Sequence, residues 1–113
     1  MALSDLIPEG GTAMDLGASS RKQVLQALSE IAAHKTGMEA RVIFESVLQR
    51  ERLGSTGVGQ GVAIPHARLR GIRDVTGFFA RLKSPVDFES IDGRPVDLVF
   101  MLLAPEDAGA EHL

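Results

Sequence analysis

The apolar positions of this chain keep a helical rhythm from Ser20 to Leu53 and a strand rhythm after it. Leu3 to Ile7 is a short apolar stretch broken by Pro8-Glu9-Gly10-Gly11, and Thr12 to Leu16 reads as a first strand. Ser20 followed by Gln23 is a capping-box pattern that opens a helix. Val24, Leu25, Leu28, Ile31 and Ala32 then recur at the spacing of one buried stripe, His34 and Lys35 fall in the last turn, and Gly37 ends the helix. Thr36 with Glu39 repeats the capping pattern. Val42, Ile43, Val47 and Leu48 form the stripe of a second helix, which carries Arg50, Glu51 and Arg52 at its end, with Gly54 as C-cap.

Beyond Gly54 the pattern changes. Val62-Ala63-Ile64 is a short apolar run, and Arg68 to Asp74 is basic and turn-like. Val75 to Leu82 reads as a strand with Phe78 and Phe79 on opposite faces, and Pro85 to Phe88 as a short extended piece. Asp92-Gly93 marks a turn. Leu98 to Ala104 is continuously apolar and bounded by Pro105, the pattern of a central strand buried on both faces. Such a strand needs a covering layer on each side. The acidic Pro105-Glu106-Asp107 reads as the start of a further helix, and additional cover is expected from a segment past Leu113 or from another chain.

Composition narrows the class. With 113 residues, 44% of them hydrophobic and 24% charged, the chain is expected to form a single globular domain spanning 1–113. A net charge of −3, with no Lys/Arg block, offers nucleic acid no phosphate-tracking patch. The absence of cysteine excludes disulfides, thiolate catalysis and Cys-based zinc sites. No apolar run is long enough to span a bilayer, and MALSDLIPEG lacks the pattern of a signal peptide, so a cytoplasmic protein is expected.

The candidate chemistry lies in Gly54 to Arg68, GSTGVGQGVAIPHAR. Its glycines run GxxGxGxG, which is neither a Walker A loop nor a dinucleotide-binding turn. One reading is a mobile connection; the other is an anion-binding nest of backbone N–H groups, with Ser55 and Thr56 hydroxyls as added donors. Pro65 stiffens the chain before His66, which is expected just past a strand end. His66 is either a surface or packed residue, or a nucleophile attacking phosphorus with one ring nitrogen while the other, hydrogen-bonded, fixes the tautomer. Arg50 and Arg52, at the end of the second helix, are rival phosphate ligands. His34 has a sufficient role at a helix end, and His112 alone is a polar residue near the end of the sequence. No HExxH and no carboxylate at ligand spacing accompanies His66, so no metal site is expected.

The stretch from Leu48 to Arg68, with GVAIPHA at its centre, resembles the signature of the fructose/mannitol-type (type 2) enzyme IIA family of the bacterial phosphotransferase system, and most closely its nitrogen-regulatory branch. The similarity continues through the Phe-rich strand, the Asp-Gly turn and PVDLVFMLLAPED. The resemblance implies an α/β fold, a mixed β-sheet with helices on both faces, in a chain that resembles a C-terminally truncated family domain. It implies that His66 accepts a phosphoryl group from an HPr-like carrier charged through enzyme I, that Arg50 lies near that group, and that His112 is a second site histidine. No cofactor is implied.

Two outputs follow from the resemblance. One is regulatory: the phosphorylation state of His66 selects partners, which in the family include potassium-uptake systems, sensor kinases and the alarmone synthase/hydrolase. The other is sugar transport, relaying the group to an enzyme IIB. A small metal-binding or ligand-sensing domain is a third reading.

Overall fold

The computed structural model describes residues 3–107. A 3-10 turn at Leu3–Leu6 leads into strand β1 (Thr12–Leu16). Helix α1 (Arg21–Thr36) begins at Ser20, whose hydroxyl accepts the Gln23 N–H at 3.2 Å. The reciprocal arm of the capping box is displaced by one residue: Gln23 Oε1 accepts from the backbone N–H of Ser19 at 2.7 Å rather than from Ser20. Gly37 closes the helix in the left-handed conformation, φ 79°, donating to Ala33 O.

The second capping box expected at Thr36 does not form. Thr36 is the last residue of α1; its hydroxyl donates to Ala32 O at 2.8 Å and accepts from Met38 N. Helix α2 (Ala40–Leu53) therefore starts from Glu39 without a side-chain cap. Ile43 and Val47 of its stripe are fully buried and Leu48 packs partly against the core, whereas Val42 is 41% exposed, one position off the buried face.

The glycine stretch is ordered into strands. Strands β2 (Gly57–Gly59) and β3 (Val62–Ala63) form an antiparallel hairpin, its two-residue turn made by Gln60 and Gly61, both at positive φ (56° and 81°). Strand β4 (His66–Leu69) follows, then β5 (Thr76–Val86) and β6 (Val96–Pro105). The extended piece expected at Pro85 is thus partly absorbed into a longer β5. The Asp-Gly turn is present, with Gly93 N donating to Ser90 O at 2.9 Å.

The sheet is mixed. Its order is β1-β5-β6-β3-β2, with β4 also paired to β6. β6 is central: β5 runs antiparallel along one edge, and β3 and β4 run parallel in succession along the other. Between β3 and β4 lies buried Pro65, which has no N–H to give; its carbonyl still accepts from Leu102 N at 2.9 Å and carries the ladder across the break.

Alternation along the strands separates two faces. Ala63, Ala67, Leu69, Phe78, Ala80, Leu82, Val99, Met101 and Leu103 are buried in one cluster with Val24, Leu25, Leu28 and Ala32 of α1 and Ile43 and Val47 of α2. Val62, Phe79, Leu98, Phe100 and Leu102 lie on the other face and are only half-buried. Burial of β6 on both faces is therefore incomplete among the described residues, because α1 and α2 share one side of the sheet. The helix expected after Pro105 falls on residues outside the described ones; Glu106 and Asp107 form a turn. Among the described residues no helix is long and apolar enough to cross a membrane.

Candidate functional site

His66 is the first residue of β4, directly after buried Pro65, rather than a residue trailing a strand end. Its register places it opposite Leu102. The half-buried ring is fixed from one side, with Nδ1 2.9 Å from the carbonyl oxygen of Ile64. A carbonyl oxygen only accepts, so Nδ1 carries the proton, and in the neutral ring Nε2 holds the lone pair.

The ring lines an open cavity of about 470 Å³ together with Ser46, Gln49, Arg50, Leu53, Ala67 and Arg68. The α2 members recur at i, i+3, i+4 and i+7 from Ser46, which is one face of the helix. His66 and Arg68 lie on one face of β4 and the buried Ala67 and Leu69 on the other, and Ala67 also borders the cavity. Two guanidinium groups and an imidazole thus face one open space, an arrangement that suits a dianionic phosphoryl group.

The structure separates Arg50 from Arg52. Arg50 lies on the His66 cavity, and its Nη1 donates to Gly54 O at 2.8 Å, which holds the guanidinium across the end of α2. Arg52 lines a different groove, with Ser20, Arg21, Leu48 and Glu89 among its neighbours.

Ser55 and Thr56 are not brought to the cavity. The Ser55 hydroxyl donates to Phe88 O and accepts from Gly57 N. Thr56 is buried; its backbone N–H donates to Glu51 Oε2 at 3.0 Å and its hydroxyl to Glu51 Oε1. The N–H groups of Gly54 and Gln60 are likewise engaged, by Glu51 O and Asp92 Oδ2. The glycine segment spends these donors on its own fold, in place of a nest open to an anion. His112 lies outside the described residues. His34 borders a separate groove with Gly10, Leu16 and Lys35.

Sequence reasoning passed over Ser46, Gln49 and Leu53 as cavity residues, and placed Arg68 beside His66 without giving it a role. The signal was present: the first three repeat with Arg50 along one helical face, and Arg68 stands two residues from His66 in a strand.

Residues 5–113 match the family model described as "Phosphoenolpyruvate-dependent sugar phosphotransferase system, EIIA 2". The chain belongs to this EIIA type 2 family. A nitrogen regulatory protein of Bradyrhizobium diazoefficiens is 54% identical over 113 residues, covering 100% of this chain and 74% of the relative. One from Pseudomonas aeruginosa is 42% identical over 112 residues, covering 98% of this chain and 73% of the relative. Among solved structures, the nitrogen regulatory protein IIA-Ntr of Neisseria meningitidis superposes with a TM-score of 0.90 at 39% identity, covering 97% of this chain and 75% of that one. The mixed sheet and two helices are those of an EIIA type 2 domain. Family membership supports a phosphoryl-carrier role within the phosphotransferase system.

Proposed function

We propose that the chain is a cytoplasmic phosphoryl carrier of the nitrogen-regulatory type, which accepts a phosphoryl group on Nε2 of His66 from a phosphorylated HPr-like carrier protein. The observation that carries this reading is the 2.9 Å contact from Nδ1 to Ile64 O in a ring that borders the Arg50 cavity. It sets the proton on Nδ1 and leaves the lone pair on Nε2.

The chemistry asks for positioning and charge stabilisation. The Nε2 lone pair attacks phosphorus in line. The new P–N bond forms as the P–N bond to the carrier's histidine breaks, and that histidine leaves with the electron pair. The Nδ1 proton stays on Nδ1, donated to Ile64 O, throughout. The remaining Arg50 donors stabilise the charge spread over the transferring oxygens, and Arg68 adds a second cation. Ser55 and Thr56, with their hydroxyls committed elsewhere, support the hairpin that leads to His66 rather than contact the group directly. His112 is proposed as a second donor to the phosphoryl oxygens.

The output is regulatory. A phosphoryl group on His66 adds dense negative charge to an exposed cavity mouth and changes which proteins dock there. Candidate targets are potassium-uptake systems, sensor kinases and the alarmone synthase/hydrolase. The 54% identity to a nitrogen regulatory protein, against 32% to a fructose-specific EIIABC component of Bacillus subtilis, supports this output over sugar transport.

The test is incubation with phosphoenolpyruvate, enzyme I and the HPr-like carrier, read by intact mass. One acid-labile phosphoryl group, absent from His66→Ala, is the expected result. Full incorporation into His66→Ala would remove His66 from its role.

A further inference from the structure

Glu51 is a charged side chain buried beside the site, 1% exposed, and the transfer chemistry makes no direct use of it. A carboxylate taken out of water is costly unless its lone pairs are satisfied. Here they are: Glu51 accepts from Thr56 N at 3.0 Å, from the Thr56 hydroxyl, and from Arg21 Nη1 at 3.3 Å. Arg21 is held in turn by Glu89 at 2.8 Å. An apolar pair of similar volume would fill such a space at less desolvation cost.

One chain of hydrogen bonds runs from the Glu51 carboxylate to the site. The carboxylate holds Thr56; Thr56 O accepts from Ile64 N at 2.9 Å; and Ile64 O accepts from His66 Nδ1 at 2.9 Å. Arg50 is held separately, by backbone: its Nη1 donates to Gly54 O at 2.8 Å, and Gly54 N donates to the Glu51 backbone carbonyl at 3.2 Å. The chain from the carboxylate ends on the imidazole assigned to phosphoryl transfer.

We propose that Glu51 is a positioning residue of this site, its carboxylate setting the His66 tautomer through Thr56 and Ile64. The proposal rests on the reading of His66 as the phosphoryl acceptor. Glu51 touches neither the phosphoryl group nor the imidazole. It fixes where Ile64 O stands, and Ile64 O fixes which ring nitrogen is free. With the carboxylate replaced by an amide, the donors of Thr56 and Arg21 face an N–H group, and the Thr56 anchor loosens.

The experiment compares the full chain with Glu51→Gln, Thr56→Val, Arg50→Ala and the Glu51→Gln/Arg50→Ala double variant. Folding is checked by the amide N–H NMR spectrum. The His66 tautomer is read from its ring-nitrogen chemical shifts, and phosphorylation rate from intact mass with phosphoramidate as a small donor that needs no carrier. Glu51→Gln is expected to keep the fold, to shift the ring from the Nδ1–H form towards a mixture, and to slow phosphorylation about tenfold. In the double variant the losses should multiply, because the Glu51 carboxylate acts through the His66 ring and Arg50 acts on the phosphoryl group.

A folded Glu51→Gln with the original tautomer and rate overturns the proposal. If Glu51→Gln does not fold, Thr56→Val, which keeps the backbone bond and removes only the hydroxyl, is expected to show the same shift at smaller amplitude; an unchanged tautomer there overturns the proposal equally. If the unsubstituted chain takes no phosphoryl group from either phosphoramidate or the carrier, the acceptor reading fails, while the ring-nitrogen measurement still decides the role of Glu51.

Discussion

The imidazole Nδ1 of His66 lies 2.9 Å from the carbonyl oxygen of Ile64, two residues back across Pro65. The proline makes this short loop of contacts stable. It restricts Ile64 to an extended conformation and holds the chain while β3 gives way to β4. An imidazole that must offer one nitrogen to an incoming group is thereby held by its other nitrogen.

The first prediction concerns which phosphohistidine forms. With Nδ1 committed to Ile64 O, phosphorylation should yield the Nε2 isomer. NMR of the phosphorylated chain distinguishes the two isomers. A product substituted on Nδ1 would mean that the Ile64 contact breaks before transfer, and the mechanism proposed here would not hold.

The second prediction separates the two arginines. Arg50 borders the His66 cavity and Arg52 does not. A charge-assisted hydrogen bond of about 1.5–3 kcal/mol made in the transition state corresponds to roughly ten- to a hundredfold in rate. Arg50→Ala should slow phosphoryl acceptance by that factor with about 1 kcal/mol or less lost in stability. Arg52→Ala should leave the rate within about twofold. Single-turnover transfer from the carrier, with urea unfolding of each variant, measures both; equal rates for the two variants would leave Arg50 without a special role.

Much of this was legible because it is local. The buried stripe of α1, its Ser20 start and Gly37 stop, strand β1 and the Asp-Gly turn depend on neighbouring residues, and each stands where the pattern places it. What the pattern missed depends on long-range pairing. Gly54 to Gly61 reads as a loop because glycine carries no strand signal, yet the strand expected at Val62 is present as β3 on the edge of β6, and Gly57–Gly59 pairs with it to make a hairpin. The Thr36 hydroxyl is used at the end of its own helix, donating to Ala32 O and accepting from Met38 N, instead of accepting from the first turn of the helix it was expected to cap. In the site, the family resemblance pointed to His66 and Arg50. That Ser55 would be taken up by Phe88 follows only once distant parts of the chain meet, and that Thr56 would be taken up by Glu51 follows only from how the chain turns off the end of α2.

The third prediction is a pH dependence. Asp92 accepts from Gln60 N at 2.8 Å and Arg94 N at 3.0 Å, tying the hairpin turn to the Asp-Gly turn. These backbone bonds, Gln60 first, hold its carboxyl below the ordinary value of 3.8. A carboxyl lowered in the folded state contributes its stability fully above its unfolded value and loses it as pH falls through the folded one. Asp92→Asn should therefore shrink the drop in urea midpoint between about pH 6 and pH 3. An identical drop in both proteins would show that Asp92 has no part in it.

The fourth prediction tests the hairpin as a packed element. A Cβ on Gly57 would meet the Ser90 side chain, with Ser90 Cβ at 3.0 Å and Ser90 Cα at 3.1 Å. Such overpacking typically costs about 1–3 kcal/mol. Gly57→Ala should lower thermal stability accordingly, and adding Ser90→Gly should recover part of the loss, because it removes Cβ and Oγ but leaves Cα. A Gly57→Ala protein as stable as the parent would mean that the hairpin yields, and the segment would be a mobile connection after all.

The last prediction concerns where the phosphoryl group goes. A transport component hands it to a sugar-specific enzyme IIB; a regulatory component holds it until the carrier takes it back. The open cavity mouth, with exposed Leu53 (82%) and two arginines beside His66, can dock either kind of partner, so geometry alone favours neither output. Sequence similarity favours the regulatory one. The phosphorylated chain should therefore keep its group in the presence of fructose- and mannitol-specific enzyme IIB proteins and lose it to unphosphorylated HPr-like carrier. Mixing the phosphorylated chain with each acceptor, and following its mass with time, gives the answer directly. Transfer to an enzyme IIB as fast as return to the carrier would make this a transport component, and the charge change at His66 would then be a relay intermediate rather than a signal.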